Sequence, residues 1–456
     1  MSSTIQAGYL VAAILFVLGL KGLARPRTAV RGNLFGSLGM LLGVVVTLTN
    51  EAIVSWQILV AGLVVGTAVG VMLAIRVQMT SMPELVALFN GFGGAASVLV
   101  VGASSEEVLG TPAEDLTYLT AAAASAIIGA VTFSGSVVAF GKLRESIGSW
   151  SSAIAHPLNV VLTTVAVVIG IVFVTVPGWT WLVVLIGLGL VLGVTVVFPI
   201  GGADMPVVIA LLNSLSGLAA ASTGFAIDNS LLIIAGSLVG ASGLVLTQVM
   251  CVAMNRTLVN VLFGSMASGG QAQDPHDVYD GKIRSTSPDD VALILDSANR
   301  VVIVPGYGMA VAQAQHAVRD LTRALETRGI EVVFAVHPVA GRMPGHMNVL
   351  LAEAEIDYAQ LIEMDVVNPT FAETDVAIVI GANDVVNPIA REEGSPIAGM
   401  PILDVDAARI VIVIKRSLSP GFAGIPNPLF AATNTLMLFG DGKEAVVGIN
   451  TALNQL

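Results

Sequence analysis

Two glycines one residue apart, Gly306 and Gly308, follow a short apolar run and precede a stretch of helical composition. Glycine has no Cβ, so backbone N–H groups at such a turn can approach a pyrophosphate at the positive end of the next helix. This layout is typical of a dinucleotide-binding turn, with residues 301–305 as the strand and residues 309–327 as the helix. The motif alone is weak, because Val311 stands where a third glycine or alanine is expected.

Residues that could distinguish the two nicotinamide dinucleotides lie at the ends of later apolar runs. NAD-binding domains place a carboxylate after the second strand to bind the ribose 2′-hydroxyl, whereas this chain has His337 and Pro338 there. Lys415, Arg416 and Ser417 follow another run, and two cations beside a hydroxyl suit a 2′-phosphate. A Lys-Arg pair by itself is commonly a solvated strand end. Together with the missing acid, it favours NADP over NAD.

A few polar residues interrupt the apolar first half of the chain. Asn90 and Asn213 lie inside apolar stretches, and Asp204 precedes the stretch that contains Asn213. Polar groups inside a membrane are costly and usually face the bundle interior, so these three residues predict a polar lane for an ion. Interhelical hydrogen bonding without ion passage explains the same spacing. Glu84 follows Pro83 at a predicted helix start, where capping is the favoured role.

The composition divides the chain into an apolar half and a more polar half. Hydrophobic residues make up 55% of the chain and charged residues 11%, and the mean hydropathy is +0.86. Residues 1–256 contain 8 Lys+Arg and 9 Asp+Glu, against 12 and 23 in the remaining 200 residues. This pattern indicates a polytopic membrane protein with a soluble domain. The acidic excess of that domain argues against nucleic acid as a partner, and the single cysteine, Cys251, excludes an intramolecular disulfide.

Nine apolar stretches are long enough to cross a bilayer. They lie near 5–21, 33–50, 56–75, 83–102, 116–139, 158–176, 179–198, 206–224 and 229–253. The eight basic residues of this half all fall on one side of the predicted bundle: Lys21, Arg25, Arg27, Arg31, Arg76, Lys142, Arg144 and Arg256. By the positive-inside rule that side is cytoplasmic. We therefore expect the N-terminus outside and, after an odd number of crossings, the C-terminal domain in the cytoplasm.

The rest of the chain has the pattern of an α/β domain. Strand-like runs alternate with helical patterns at 300–305, 331–336, 375–381, 409–414 and 435–439, with a weaker candidate at 358–364. Such alternation predicts a doubly wound parallel sheet. Its first helix would have Ser287 as N-cap and Pro288 in its first turn. We divide the chain into a transmembrane domain (1–255), a cytoplasmic linker (256–287) and a Rossmann-like NADP(H)-binding domain (288–456).

Eight short motifs are spread over the whole chain. They are MPELV (82–86), GGADMP (201–206), VPGYGMAV (304–311), HPVAGR (337–342), GHMN (345–348), GAND (381–384), KRS (415–417) and NPLF (427–430). In these motifs the chain resembles the β subunits of proton-translocating NAD(P) transhydrogenases, a family in which Val311 belongs to the pattern. The resemblance covers nearly the whole chain.

The resemblance implies an enzyme of the AB-specific (Si–Re) type that passes a hydride directly between NADH and NADP⁺ while protons move inward. It places NADP(H) on this chain, and NAD(H) with additional membrane helices on a partner α subunit. It further implies a dimer of αβ units in a bacterial inner membrane. No residue is expected to act as a catalytic acid or base, and no metal site is expected.

The resemblance also assigns individual residues to NADP(H). It implies that the turn contacts the pyrophosphate, that Arg342 contacts a phosphate, that two residues lie in the pocket and that three bind the 2′-phosphate under a lid loop. The turn residues are Gly306, Tyr307, Gly308, Met309, Ala310 and Val311, with Tyr307 near the nicotinamide; the pocket residues are Asn383 and Asp384; the 2′-phosphate residues are Lys415, Arg416 and Ser417.

Two positions depart from the pattern of some relatives. Phe422 stands where they have a lid tyrosine, and Asn90 stands where they have a membrane histidine. Because an amide does not titrate, the resemblance places the proton carrier on the partner's helices. Asn90 and Asn213 would then lie beside the proton path, with Asp204 at its cytoplasmic entrance.

Two other functions fit parts of the same pattern. A dinucleotide-gated channel or transporter would use the nucleotide as a regulator, although the chain has no T-V-G-Y-G-type filter. A structural membrane anchor for an NADP-binding domain would use the polar lane only for packing. Transhydrogenation measured in vesicles, with and without a proton gradient, separates all three.

Overall fold

The structure is a computed structural model. It describes residues 3–23, 26–49, 56–109, 115–144, 146–148, 152–263, 279, 281–343, 345–395, 397–421 and 423–456. The chain folds as two compact units. The first, here called the helical unit, comprises Met1–Ile200 and Val208–Thr247; the second, here called the sheet unit, comprises Gly201–Val207 and Gln248–Leu456.

Long apolar helices build the helical unit, and within the described residues nine helices are long and apolar enough to cross a membrane. They are α1 (Ser3–Leu23), α2 (Pro26–Leu48), α3 (Trp56–Arg76), α4 (Met82–Val108), α5 (Leu116–Leu143), α6 (Ser152–Thr175), α7 (Trp179–Val197), α8 (Met205–Ala226) and α9 (Ser230–Ala253). The start of α8 and the end of α9 belong to the sheet unit. The nine helices confirm the predicted polytopic helical bundle.

Small residues bring α4, α5 and α7 close together. A Cβ added at Gly129 of α5 would lie 2.7 Å from the carbonyl oxygen of Gly94 in α4. One added at Gly193 of α7 would lie 2.4 Å from the carbonyl oxygen of Val131 in α5. Backbones this close leave room only for hydrogen, which is how helices gain packing contacts in lipid, where no hydrophobic driving force acts between them.

Helix α3 differs from the other spans, because none of its residues is buried. It also carries three glycines at helical spacing, Gly62, Gly66 and Gly70. A Cβ added at any of them would meet no atom of the described chain within 4 Å. Within the described part of this chain, this row of glycines therefore has no close packing partner.

The sheet unit contains six described strands, and each is parallel to its neighbours. They are β1 (Arg300–Pro305), β2 (Glu331–Val336), β3 (Leu361–Glu363), β4 (Val376–Ile380), β5 (Ile410–Lys415) and β6 (Thr435–Phe439). The accompanying helices are α10 (Leu258–Phe263), α11 (Pro288–Asp296), α12 (Tyr307–Val311), α13 (Gln315–Thr327), α14 (His346–Glu353), α15 (Met364–Val367) and α16 (Gly442–Leu453). This confirms the predicted Rossmann-like, doubly wound sheet.

The strand order, β3-β2-β1-β4-β5-β6, places the functional edge of the sheet. The chain moves outward from β1 to β3 and then returns to β4 on the other side of β1. Where the direction of winding reverses, the loops leave the carboxyl ends of two neighbouring strands on opposite faces and open a crevice. Here that switch point lies between β1 and β4, so the turns after these two strands are where a ligand is expected.

The helix predicted over 309–327 is two helices, α12 and α13. The chain between them turns at Gln313, whose φ of 50° is left-handed. The N–H of Ala314 then donates to the carbonyl of Met309 at 3.0 Å, which closes α12 after five residues. A helix this short has little macrodipole, so any attraction for a phosphate at this turn must come from individual N–H groups and side chains.

Residues that we predicted to be part of the linker pack against the sheet and cap its first helix. Ser287 forms the predicted N-cap of α11 in a capping box with Asp290. The segment 284–286 runs beside β6: Met437 N–H donates to Arg284 O at 2.7 Å, and Thr286 N–H donates to Met437 O at 2.9 Å. The sheet unit therefore uses chain N-terminal to residue 288.

Candidate functional site

The turns that follow β1 and β4 lie directly against each other at the switch point. The N–H of Gly306 donates to Ile380 O and the N–H of Gly308 donates to Gly381 O, both at 2.9 Å. A Cβ added at Gly306 would lie 2.3 Å from backbone atoms of Ala382, and one added at Gly308 would lie 2.7 Å from Gly381 Cα. Both glycines are thus required by the contact between the two turns.

This geometry explains the need for glycine at both positions by the contact between the two turns, whereas the sequence suggested close approach to a pyrophosphate. The N–H groups of the two glycines are satisfied by the carbonyls of Ile380 at the end of β4 and of Gly381 just after it, so in this arrangement they are engaged within the protein. Met309 and Ala310 have no exposed surface, and Val311 is 47% exposed. Tyr307 lines the neighbouring cavity. Contact of the turn with a pyrophosphate remains a prediction.

A cavity of about 150 Å³ opens beside these turns in the sheet unit. The predicted NADP(H)-binding residues that line it are Gly306, Tyr307, Asn383 and Asp384. Its wall continues through Val339, Ala340 and Gly341 after β2, Ile397 and Met400 between β4 and β5, and Gly421 and Ala423 after β5. The lining also includes Asp204, Pro206, Met254 and Arg256, which belong to the same unit.

Asp384 connects the β4 turn to the chain that follows β5. Its Oδ2 accepts a hydrogen bond from the N–H of Ala423 at 3.0 Å. A Cβ added at Gly421 would lie 2.4 Å from Asp384 Oδ1, so a larger residue there would displace the carboxylate. Asp384 therefore holds Gly421 and Ala423 at the cavity. Phe422, predicted to replace a lid tyrosine, lies outside the described residues.

Lys415 brings a positive charge to the carboxyl end of β5. Its Nζ lies 5.0 Å above the ring of Phe430 and donates to Ser419 O. Burial lowers the pKa of Lys415, and the carboxylate of Asp384 partly offsets this. Ser417 Oγ is 2.8 Å from Ser419 Oγ. Lys415 and Ser417 thus both contact Ser419, and Arg416 between them is exposed.

Arg342 lies against the turn that follows β1. Its guanidinium carbon is 4.4 Å from the centroid of the Tyr307 ring, a cation–π distance. The backbone N–H of Arg342 donates to His346 Nδ1 at 3.0 Å. Gly341 has a left-handed φ of 104°, and a Cβ there would lie 2.6 Å from the His346 ring. His346 therefore fixes the loop that places Arg342 over Tyr307.

His337 and His346 are both held neutral by the fold. Burial lowers the pKa of His337 to about 4, and burial together with Arg342 lowers the pKa of His346 to about 4. His337 Nε2 is 2.8 Å from Pro401 O, and its Nδ1 accepts from the N–H of Val339 at 3.2 Å. His337, where an NAD-binding domain has its acid, is thus engaged in holding two loops.

In the helical unit, Asn90 and Asn213 lie at the boundary of α4 and α8. Asn90 is buried, and its Nδ2 donates to Ile209 O at 3.3 Å. A Cβ added at Gly93 would lie 2.4 Å from Ser216 Oγ. Asn213 is half-buried, four residues after Ile209 and three before Ser216. Since residues at this spacing share a helix face, Asn213 lies on the face of α8 that packs against α4.

Asp204 pairs with a residue that the sequence analysis used only for orientation. Both of its carboxylate oxygens accept from Arg256 Nη1 at 3.1 Å. The side chain of Asp204 is 5% exposed and that of Arg256 is 22% exposed. Burial raises the pKa of Asp204, even though Arg256 acts in the opposite direction. One signal for this partner was available in the sequence: Arg256 is the first charged residue after the last span.

Known proteins are similar to this chain over nearly its full length. The family model described as NAD(P) transhydrogenase beta subunit matches residues 5–452. Two proteins named NAD(P) transhydrogenase subunit beta, both from Rhodospirillum rubrum, are each 46% identical to this chain over 461 aligned residues. Each alignment covers 99% of this chain and 99% of the relative.

Proposed function

Because the chain belongs to the NAD(P) transhydrogenase β-subunit family, we propose that it binds NADP(H) and exchanges a hydride with NADH held by a partner α subunit. Proton movement across the membrane drives this exchange. The observation that carries the proposal is the position of Lys415 and Asp384 at the carboxyl edge of the sheet, beside the interlocked turns of the switch point.

The strand order supports a specific orientation for the nucleotide. Neighbouring strands are about 4.8 Å apart, so the end of β5 lies about 10 Å from the β1 turn on the side away from β2. An NADP(H) with its pyrophosphate at the β1 turn and its 2′-phosphate at Lys415 would therefore extend over β4 and β5. The usual NAD arrangement, with the ribose acid after β2, runs the other way, and His337 occupies that position here.

The residues present fit such a ligand. Asn383 Nδ2 is buried at the cavity and has no hydrogen-bond partner within the described part of the chain. A buried amide donor of this kind costs free energy until an acceptor reaches it, and ribose or carboxamide oxygens of NADP(H) are acceptors. Lys415, Arg416 and Ser417 would hold the 2′-phosphate, and Arg342 a further phosphate.

Binding and orientation are the tasks of this chain in the reaction. NADP⁺, when bound, supplies the carbon that accepts the hydride. The chain supplies Tyr307, braced by Arg342, as a flat surface at the cavity, and the segment held by Asp384 as a cover that excludes water. Direct hydride transfer needs no acid or base from this chain, and none of its residues is proposed for that role.

Coupling to protons supplies the driving force. NADH and NADPH differ only at the remote 2′-phosphate, so their exchange is nearly thermoneutral. A proton that crosses about 180 mV supplies about 4 kcal/mol, which is about a thousandfold in the product ratio. Protonation must therefore change NADP(H) affinity, and by reciprocity NADP(H) must change proton affinity.

We propose Asp204 as the group at which this exchange occurs on the chain. It is buried against Arg256, and both residues line the cavity that Asp384 and Tyr307 also line. A proton on Asp204 removes the charge that holds Arg256, which frees a guanidinium at the cavity wall. Asn90 and Asn213 lie beside the proton path, while a titrating residue of the partner carries the proton.

The same reasoning extends to assembly and location. The unburied face of α3, with Gly62, Gly66 and Gly70, would receive the membrane helices of the α subunit. The complex would be a dimer of αβ units in a bacterial inner membrane, with the N-terminus outside and the sheet domain in the cytoplasm. The basic residues on one side of the bundle support this orientation.

Nucleotide binding tests the assignment of NADP(H) to this chain. The full chain, purified in detergent without the α subunit, should bind NADPH far more tightly than NADH in calorimetry. Equal affinity for the two nucleotides, or no binding, would contradict the proposal. A dinucleotide-gated channel would also bind NADPH, but with the α subunit present it would conduct ions without producing NADPH from NADH.

A further inference from the structure

Tyr279 lies within the predicted linker, yet it is a buried residue of the sheet unit. Tyr279 is 7% exposed and packs in the same apolar cluster as β4 and β5 residues. The ring stacks on Phe430 with centroids 6.4 Å apart and planes 20° apart. Its hydroxyl accepts a hydrogen bond from the backbone N–H of Asn427 at 2.7 Å. A phenylalanine would fill the same space but could not accept this bond.

The hydroxyl of Tyr279 is connected through hydrogen bonds of Asn427 to Asn383, on one side of the cavity. Asn427 has no exposed surface, and its Nδ2 donates to both the backbone oxygen and Oδ1 of Asn383 at 3.1 Å. Asn383 lines the cavity and precedes Asp384. The position of the Asn383 amide is therefore determined by Asn427, and that of Asn427 by Tyr279.

The ring of Tyr279 is connected through Phe430 to Lys415, on the other side of the proposed site. Phe430, on which it stacks, carries Lys415 Nζ 5.0 Å from its ring centroid. Lys415 is the half-buried cation proposed for the 2′-phosphate. One residue thus supports two groups from behind, an amide at the cavity and a cation at the end of β5, while Tyr279 itself is not part of the cavity lining.

We propose that Tyr279 is a positioning residue for NADP(H), an inference that rests on the proposed function. Its hydroxyl fixes the position of the Asn383 amide through Asn427, and its ring fixes the position of the Lys415 side chain through Phe430. Without the hydroxyl, the buried Asn427 N–H has no acceptor and residues 427–430 shift to find another. The binding-competent arrangement is then a smaller fraction of the population, and the apparent affinity falls by that fraction.

Two substitutions separate the roles of the hydroxyl and the ring. In the full chain purified in detergent without the α subunit, Tyr279→Phe should weaken NADPH and NADH binding by the same factor, about tenfold. Tyr279→Leu also removes the stacking under Lys415, so it should weaken NADPH more than NADH and reduce the preference for the 2′-phosphate. A purely structural role would lower the unfolding temperature without changing this ratio.

Tyr358→Phe is the matched control, because it makes the same chemical change at a half-buried tyrosine before β3, at the opposite edge of the sheet. It should leave both affinities unchanged. Wild-type NADPH affinity in Tyr279→Phe, with any change in unfolding temperature, would overturn this inference alone. Failure of the wild-type chain to bind NADPH would overturn the proposed function and this inference with it.

Discussion

Gly308 and Gly381 meet backbone to backbone: a Cβ on Gly308 would lie 2.7 Å from Gly381 Cα, and the Gly308 N–H donates to Gly381 O at 2.9 Å. The two turns at the switch point are therefore a single interlocked structure. Tyr307 on one turn and Asp384 on the other keep their relative positions because no side chain separates the backbones. The site depends on this contact.

We expect Gly308→Ala to disrupt the interlock, because the added methyl meets backbone atoms that have no flexible end to move. Overpacking of this kind costs about 1–3 kcal/mol. The sheet domain should unfold at a lower temperature, and NADPH binding should weaken as the turns separate. Gly440→Ala is the control, since its Cβ would meet only Ala445 Cβ, 3.9 Å away. Equal behaviour of the two variants would show that the contact is not needed.

Lys415→Ala combined with Arg416→Ala should remove the preference for NADPH. Each hydrogen bond to a charged group is worth about 1.5–3 kcal/mol, so NADPH binding should weaken by several kcal/mol while NADH binding barely changes. Calorimetry on the full chain measures both. The control is the double variant Arg323→Ala, Arg409→Ala, which removes two exposed cations of the same domain. Equal losses for both nucleotides in the first variant would contradict recognition of a 2′-phosphate.

Asp204→Asn should keep the fold and still bind NADP(H), but its NADP(H) affinity should no longer respond to a proton, so the proton-coupled reaction should slow. The amide can still accept from Arg256, and Arg256 is partly exposed, so the fold should survive without the ion pair. The measurement is proton pumping per hydride transferred, in vesicles that contain the αβ complex. Asp228→Asn removes an exposed carboxylate between α8 and α9 and should have no effect.

The polar lane can be tested in the same assay with Asn213→Leu. If Asn213 serves only as packing, the variant should lose about 0.6–2 kcal/mol of stability and keep its coupling in the protein that remains folded. If Asn213 lies beside the proton path, pumping should fall relative to hydride transfer. Wild-type pumping and turnover in both Asp204→Asn and Asn213→Leu would remove these residues from the mechanism.

The sheet unit should lose stability as the pH falls from about 6.5 towards 4. An imidazole in the unfolded chain titrates near 6.5, whereas the folded pKa values of His337 and His346 are about 4. The unfolded state therefore binds protons first, and each histidine lowers the unfolding free energy by up to about 1.4 kcal/mol per pH unit. Stability between pH 7.5 and 6.5 should change little by this route.

Hydrogen exchange of sheet-domain peptides in the full chain, at pH 7 and 5.5, measures this slope once intrinsic exchange rates are corrected. His337→Asn should flatten it. His316→Gln, at an exposed histidine on α13, should leave it unchanged. A wild-type slope of zero would mean that the two imidazoles are not held neutral by the fold.

Local sequence signals predicted most of the fold. The strands expected at 300–305, 331–336 and 435–439 are β1, β2 and β6 to the residue, because short apolar runs bounded by polar turns have few alternatives. The nine spans were found because each is a long apolar stretch, a signal that needs no knowledge of neighbours. The weak candidate at 358–364 became only the three residues of β3, since a short edge strand has little apolar pattern.

Contacts between distant residues could not be predicted in the same way. Glycine is needed at position 308 because of its contact with Gly381. The partner of Asp204 is Arg256, 52 residues away. The role of Tyr279 depends on Asn427, 148 residues later, and its surroundings in the sequence resemble a linker. Motifs located the turn and the cations, but only the packed sheet shows which atoms those residues hold.

The most direct test is the equilibrium reached by NADH and NADP⁺ in vesicles that contain this chain with its α subunit. Without a gradient, the ratio of products to reactants should settle near one. With a proton motive force of about 180 mV directed towards the sheet domain, the ratio should rise towards about a thousand for one proton per hydride, and an uncoupler should return it to one. Transhydrogenation whose final ratio ignores the gradient would contradict proton coupling, and absence of transhydrogenation would contradict the proposed function.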